Sequence, residues 1–306
     1  MLSSTILICT KDREEDLRRC LDSICEQQRT PDEAIIVDSG AQRVQGLVQE
    51  FAAALPRCAV KYVRSEPGLT RQRNIGVGVA TKDIVHFLDD DVILDPACVD
   101  EIQKTFEAPG AEDVVAVSPM LRLAEGRPPR PCSLLRKGFL MTRVDGDGRM
   151  LPSGFGTFTW YAGYKDLHPL QVACGCCAYR RSIFDRIRFD EFFAGYGYME
   201  DLDFSYRAGN LGRMVGNPRA TMLHVASAAA RPDWRRLVAM QIINHHYVFT
   251  RLLPPDWRHR ICFWWSEFGE TLRRLVRLVG SRDLNILLGA VDGYRTILRP
   301  SARREK

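Results

Sequence analysis

Residues 84–91 read Ile-Val-His-Phe-Leu-Asp-Asp-Asp, an apolar run that ends on three adjacent carboxylates. Crowded like charges repel, and a divalent cation is the usual compensation. Hard cations prefer oxygen ligands and bind through one or two carboxylates together with substrate phosphates. Side chains alternate along a strand, so Asp89 and Asp91 are expected to point one way and Asp90 the other. Such an Asp-x-Asp pair at a strand end can face one metal-bound diphosphate. The simpler reading is a solvated turn in which Asp95-Pro96 caps the next helix. A second acidic group, Glu200, Asp201 and Asp203, opens a helical segment, where carboxylates favour the N-terminal dipole. Further on, His224 closes the apolar segment Thr221-Met222-Leu223. Cys174, Cys176 and Cys177 lack the second Cys or His pair of a zinc site and read as buried small residues.

These groups need a scaffold, and the first 120 residues alternate strand and helix. Strands are expected at 6–8, 35–37, 60–63, 83–88 and 114–117, and helices at 14–28, 44–54, 70–80 and 96–106. Asp12 and Glu15 have the spacing of a capping box. The alternation implies an α/β fold whose mostly parallel sheet is covered on both faces. Ligands of such sheets lie beyond the carboxyl ends of the strands. Thr10, Asp38, Glu66 and Asp89–Asp91 all follow strands and can share one crevice. Residues 122–170 lose the rhythm and are rich in Pro, Gly and aromatics, among them Phe155, Phe158, Trp160, Tyr161 and Tyr164. They fit either a surface that stacks on a sugar or a hairpin over the core. A strand at 176–180, a helix at 182–187 and a helix starting near Met199 follow.

The chain has 306 residues, 45% apolar and 26% charged, ordinary for a soluble globular protein. It has no run of 18 apolar residues and no basic, apolar leader, so neither a membrane span nor a secretory signal is expected. Its ten Cys do not imply a disulfide scaffold. Charge is divided unevenly. Residues 234–306 hold 14 basic and 6 acidic residues and four of the five Trp, whereas the rest is slightly acidic. A boundary near residue 230 follows. On 261–279, Trp264, Phe268, Leu272, Leu275 and Val279 line one face, with Arg273, Arg274 and Arg277 off it. Such helices can lie in a membrane interface, pack on a neighbouring domain or form a homodimer. No basic strip with interleaved aromatics crosses the sheet region, which argues against nucleic-acid binding.

The motifs stack in order: Thr10-Lys11-Asp12-Arg13, Val37-Asp38-Ser39-Gly40, Gly68 through Gly76, the Asp triplet, Gly175 through Arg181, Phe189-Asp190-Glu191, and Gly195 through Asp203. From residue 4 to about 230 the chain resembles family 2 glycosyltransferases of GT-A-type fold, in particular the bacterial branch that includes rhamnosyltransferases. Charge and Trp content mark 231–306 as a basic helical extension; the resemblance implies a catalytic domain at 1–230, with 1–120 its nucleotide half and 121–230 its acceptor half. It implies metal-dependent, inverting hexosyl or deoxyhexosyl transfer from a nucleotide-diphosphate sugar to a glycan or polyprenyl-linked acceptor in cell-surface polysaccharide synthesis. The enzyme would be cytoplasmic, held at the inner face of the cell membrane by its C-terminal helices.

The resemblance also implies roles. Thr10, Arg13 and Asp38 would hold the nucleotide, with Asp89 and Asp90 nearby, and Arg71 and Arg73 would contact the diphosphate, whose geometry suits guanidinium. Asp91, Asp89 and His224 would bind Mn²⁺ or Mg²⁺, the imidazole favouring Mn²⁺. Asp201 would be the general base and Glu200 would orient the acceptor. Two departures stand out: Gly175-Cys176-Cys177 where relatives commonly have Gly-Cys-Asn, and Met199 where Gly is frequent. The alternatives are a nucleotidyltransferase of similar fold, which would more often show a Gly-rich basic loop after the first strand, and a non-catalytic sugar- or lipid-binding relative.

Overall fold

Near-continuous apolar runs such as Ile6-Leu7-Ile8 and Ile35-Ile36-Val37 suit strands buried on both faces, and a computed structural model of the protein puts them there. It describes residues 1–123, 134–142, 147–157, 165–225 and 233–299. In chain order the elements are β1 (Ser4–Thr10), α1 (Glu14–Cys25), β2 (Glu33–Asp38), α2 (Gln45–Ala54), β3 (Ala59–Arg64), α3 (Leu69–Val79), β4 (Ile84–Asp89), β5 (Val92–Leu94), α4 (Cys98–Glu107) and β6 (Val114–Leu123). Then come α5 (Leu134–Gly138), β7 (His168–Leu170), β8 (Ala178–Arg180), α6 (Glu200–Gly209), β9 (Arg213–His224), α7 (Trp234–Leu252), α8 (Trp257–Ser281) and α9 (Asn285–Leu298). Contacts divide the chain into two compact units. The first is Met1–Pro131, Asp145–Arg149 and Thr157–Ala230; the second is Cys132–Val144, Met150–Gly156 and Arg231–Lys306.

In the first unit the strands form one sheet in the order β3-β2-β1-β4-β8-β6-β9-β5, with β7 also on β9. The block β3-β2-β1-β4 is parallel. Antiparallel β8 joins it to β6 and β9, which run parallel to each other. Neighbouring residues enter different cores, as the strand period requires. Ile6 and Ile8 pack with Leu17, Val48 and Ile102 from α1, α2 and α4. Leu7 packs with Val77 of α3 and Phe204 of α6. The result is an α/β sheet flanked by helices on both faces.

Several local expectations give way to tertiary partners. Asp90 and Asp91 form the turn that returns the chain from β4 into antiparallel β5, instead of extending the strand. The expected capping box is absent: Arg13 takes the cap position of α1, and the Asp12 carboxylate accepts the Gln42 N–H at 3.1 Å. Asp95 does not cap α4 with its side chain, which pairs with Arg122 and Thr221. The helix expected at 182–187 is a short 3₁₀ helix, Arg181–Asp185. Of the aromatics in the irregular stretch, Phe158, Trp160, Tyr161 and Tyr164 lie outside the described residues. Cys174, Cys176 and Cys177 are buried, as small apolar residues would be.

In the second unit, Asp233 and Asp256 cap α7 and α8 by accepting the backbone N–H groups of Arg236 and His259. Val238 and Ile242 of α7 pack on Ile286 of α9. At its centre Glu267 accepts from Tyr294 Oη at 2.8 Å and Arg274 Nη1 at 3.3 Å, and lies 2.7 Å from His245 Nδ1. Nε2 of His245 faces the Ser153 carbonyl at 2.9 Å. Among the described residues no helix is long and apolar enough to cross a membrane.

Candidate active site

Parallel register brings the carboxyl ends of four strands level. Thr10 aligns with Asp38, Asp38 with Arg64, and Cys9 with Asp89. Gln72 of α3 fixes two of these ends, its side-chain amide donating to the Thr10 and Val37 carbonyls at 3.1 and 2.8 Å.

The Asp triplet faces three environments. Asp90 turns inward, accepting the Thr10 hydroxyl at 2.8 Å and Arg13 Nη1 at 3.0 Å. Burial pushes its carboxyl up to about 6 against the pull of Arg13 and Thr10. Asp91 lies 3.1 Å from His224 Nε2 and 3.7 Å from Arg13. His224 reaches it because β9 pairs with β5, setting His224 opposite Val92, and because the Val225 N–H donates to the Asp91 carbonyl at 2.9 Å. Asp89 is the accessible member, its side chain 38% exposed against 5% and 8% for Asp90 and Asp91. Ligand atoms of Asp89, Asp91 and His224 all lie within 4.8 Å of one another. Two carboxylate oxygens and an imidazole form a donor set that fits Mn²⁺ or a similar divalent ion. The expected same-side placement of Asp89 and Asp91 is therefore met by a turn and not by strand alternation.

Asp89 also faces a second group. Arg73 of α3 is buried between Asp89, at 3.4 Å, and Glu200 Oε1, at 3.1 Å, with its guanidinium over the rings of Phe189 and Phe87. Burial opposes its charge, yet Glu200 and Asp89 hold its pKa above the usual value. Gly175 makes room for this bridge, since an added Cβ would meet Arg73 Nη2 at 2.8 Å. Glu200 and Asp201 open α6 behind Met199, which takes a left-handed φ of 71°. Glycine accepts that conformation most readily, so Met199 holds a backbone position that a side chain rarely adopts. Burial, then the charge of Asp201, raises the Glu200 carboxyl above the ordinary range. Burial likewise raises Asp201 against the pull of Arg73 and of the Leu202 N–H, which Asp201 accepts at 2.8 Å. Such a pair, poised above carboxylate values, suits proton transfer.

The remaining residues expected at the site are split. Asp38 is fully buried and accepts from Gly40 N–H, Tyr62 Oη and Arg64 Nη1, each at 2.7 Å. Arg71 is exposed and pairs with Glu191 at 3.5 Å, apart from Arg73. Tyr62, Arg64 and Gln72 escaped the reading of the sequence. Arg64 carries a legible signal, being a cation at a strand end level with Asp38. Gln72 carries none, since nothing local distinguishes an amide that bonds two strand ends.

RfbC of Myxococcus xanthus, an O-antigen biosynthesis protein, is 27% identical over 243 residues, 75% of this chain and 18% of that protein. The chain thus spans about a fifth of that relative's length. TarS 1–349 of S. aureus in complex with UDP-GlcNAc is similar in structure, with a TM-score of 0.62 at 13% identity over 95% of this chain and 79% of that one. The mannosyltransferase PcManGT from Pyrobaculum calidifontis, in complex with GDP-Man and Mn²⁺, gives 0.58 at 16% identity over 98% of this chain and 76% of that one. At these identities the likeness is one of fold, and it is to the GT-A-like fold. The model of the family described as "Glycosyl transferase family 2" matches residues 5–188, and the chain belongs to that family.

Proposed function

We propose that the chain is a metal-dependent, inverting glycosyltransferase that moves a sugar from a nucleotide-diphosphate donor to a hydroxyl of a glycan or polyprenyl-linked acceptor during cell-surface polysaccharide synthesis. The carrying observation is the double engagement of Asp89. It belongs to the Asp89–Asp91–His224 cluster, and Arg73 links it to the Glu200–Asp201 pair. A donor diphosphate at the first group would hold its sugar toward the second. The RfbC relationship supports an acceptor in surface polysaccharide synthesis, and the GDP-Man and Mn²⁺ bound to PcManGT support the donor class and metal.

In this reading Asp89, Asp91 and His224 would hold the cation, which would supply Lewis-acid stabilisation of charge on the diphosphate. Asp38 and Arg64 line the nucleotide end of the row. Thr10 and Arg13 act through Asp90: their bonds fix the turn from which Asp91 projects. Arg73 keeps Asp89 and Glu200 in place, and Arg71 meets the nucleotide from the rim. Asp201 accepts the proton of the acceptor hydroxyl as that oxygen bonds to the anomeric carbon. The bond from that carbon to the diphosphate breaks on the opposite side, and its electron pair leaves with the nucleotide. One displacement of this kind inverts the anomeric centre. Glu200 orients the acceptor.

Titration calorimetry of uridine, guanosine and thymidine diphosphate sugars with Mn²⁺ tests the donor half. At least one should bind in a metal-dependent manner. Asp91→Ala should lose that dependence while its thermal unfolding without ligand stays cooperative. Unchanged metal-dependent affinity in the variant removes Asp91 from the cation site.

A further inference from the structure

Helix α8 buries Phe263 together with several polar side chains and turns an apolar stripe outward. The positions it buries include Ser266, Glu267, Glu270 and Arg274. The positions it exposes include Ile261, Trp264, Phe268, Leu272, Leu275 and Val279, each 40% exposed or more. Their spacing of three and four residues makes one continuous stripe. A helix of a soluble domain turns such a stripe inward, and a contiguous apolar surface of this kind marks an interaction site.

The charge pattern selects the occupant. Both acids of α8 face inward, Glu267 to His245, Arg274 and Tyr294, and Glu270 to Arg273. The exposed charges are cationic; Arg273 pairs with Glu270 and Arg277 stacks on Trp234 away from the stripe, whereas Arg258 and Arg260 lie beside it. Arg258 and Arg260 border the stripe on opposite sides at 100° per residue. Arg260, Ile261, Trp264 and Trp265 line a shallow depression, a cation beside two indoles. A second copy of α8 would offer these arginines no carboxylate, since Glu267 and Glu270 are both buried. An anionic bilayer surface would receive the arginines at its phosphates and the Trp, Phe and Leu side chains at the acyl boundary. The helix is not a spanning segment.

We infer that α8 lies in the plane of an anionic membrane surface, with the stripe Ile261–Val279 inserted and Arg258 and Arg260 on lipid phosphates. The inference rests on α8 alone and not on the transfer chemistry, so either can fail without the other.

Flotation of the full chain with vesicles of phosphatidylcholine, alone or mixed with phosphatidylglycerol, tests it without any activity readout. The protein should rise with the anionic vesicles and much less with the neutral ones. Arg258→Glu with Arg260→Glu should weaken partition by about fivefold or more per arginine. Phe268→Asp with Val279→Asp should abolish it. Val279 is largely exposed and Phe268 half exposed with its ring against Phe139, so circular dichroism and the unfolding midpoint, measured alongside, separate lost partition from lost folding. Three results overturn the inference: no flotation of the unaltered chain, equal flotation with neutral vesicles, or equal flotation of the Phe268/Val279 variant. Light scattering that shows a dimer split by the same variant would assign the stripe to a second copy instead.

Discussion

Each unit of the chain buries carboxylates, with opposite electrostatic outcomes. In the first, Asp89, Asp90, Asp91, Glu200 and Asp201 gather around two arginines, Arg13 and Arg73. Acids outnumber cations there, and the carboxyls of Asp90, Glu200 and Asp201 are raised. In the second, Glu267 meets His245, Arg274 and Tyr294, which hold it below its usual range although burial opposes its charge. The second arrangement sets cationic and hydroxyl partners against one carboxylate and serves to fix helices. The first lacks positive charge, which a cation and a substrate can supply. An unbalanced buried cluster therefore points to a ligand, and a balanced one to architecture.

The largest test of this contrast is Asp201→Asn, which keeps the shape of the side chain and removes its basicity. Turnover, read as released nucleoside diphosphate, should fall about 10²–10⁴-fold with donor affinity little changed. Glu200→Gln, run in parallel, decides which member of the pair takes the proton. Normal turnover with weakened donor binding would give Asp201 a positioning role and weaken the link between imbalance and catalysis.

On the balanced side, Glu267→Ala leaves His245 and Arg274 buried without their carboxylate. Loss of one partner of a buried pair costs about 3–5 kcal/mol, and urea denaturation should show a loss of that size. A loss under about 1 kcal/mol, the scale of an exposed pair, would mean that the second unit does not depend on the match.

The smallest effect is a slope. The raised carboxyls of the first unit hold protons in the folded chain that the unfolded chain, with carboxyl pKa values near 4, has already released. Their contribution to stability is present below the unfolded values and is lost as pH rises through the folded ones. The unfolding free energy of the metal-free protein should therefore decline from mildly acid to neutral pH. Glu200→Gln should make the decline shallower, by up to about 1.4 kcal/mol per pH unit. An unchanged slope would mean that Glu200 is already ionised and the cluster less crowded than its geometry implies.

The parallel half of the sheet was legible because burial on both faces leaves an unbroken apolar run, as in β1 and β2, and because carboxylates at strand ends stand out against it. Antiparallel parts were harder. β5 is three residues long and β7 lies in a Pro-containing segment read as irregular, and both owe their strand state to pairing with β9. β9 itself runs twelve residues, of which only 221–223 look like a strand in isolation. At the site, residue types and motif order suggested Asp91, His224 and Asp201. They could not suggest that Arg73 would be consumed between two carboxylates, since Glu200 is 127 positions away. Capping signals at Asp12 and Asp95 misled for the same reason: each acid has a better partner at long range.

The pairing of β5 with β9 has a consequence for how the protein comes into being. Asp89 and Asp91 emerge before His224, at the end of a strand whose parallel partner β1 has already been made. Their imidazole arrives only when β9 has been made and has closed a long loop onto β5 and β6. Such distant pairings form late, because loop closure precedes the contacts that reward it. A partly synthesised chain thus holds the acidic turn without His224, and the three side chains of the proposed cation site meet only when β9 closes onto β5.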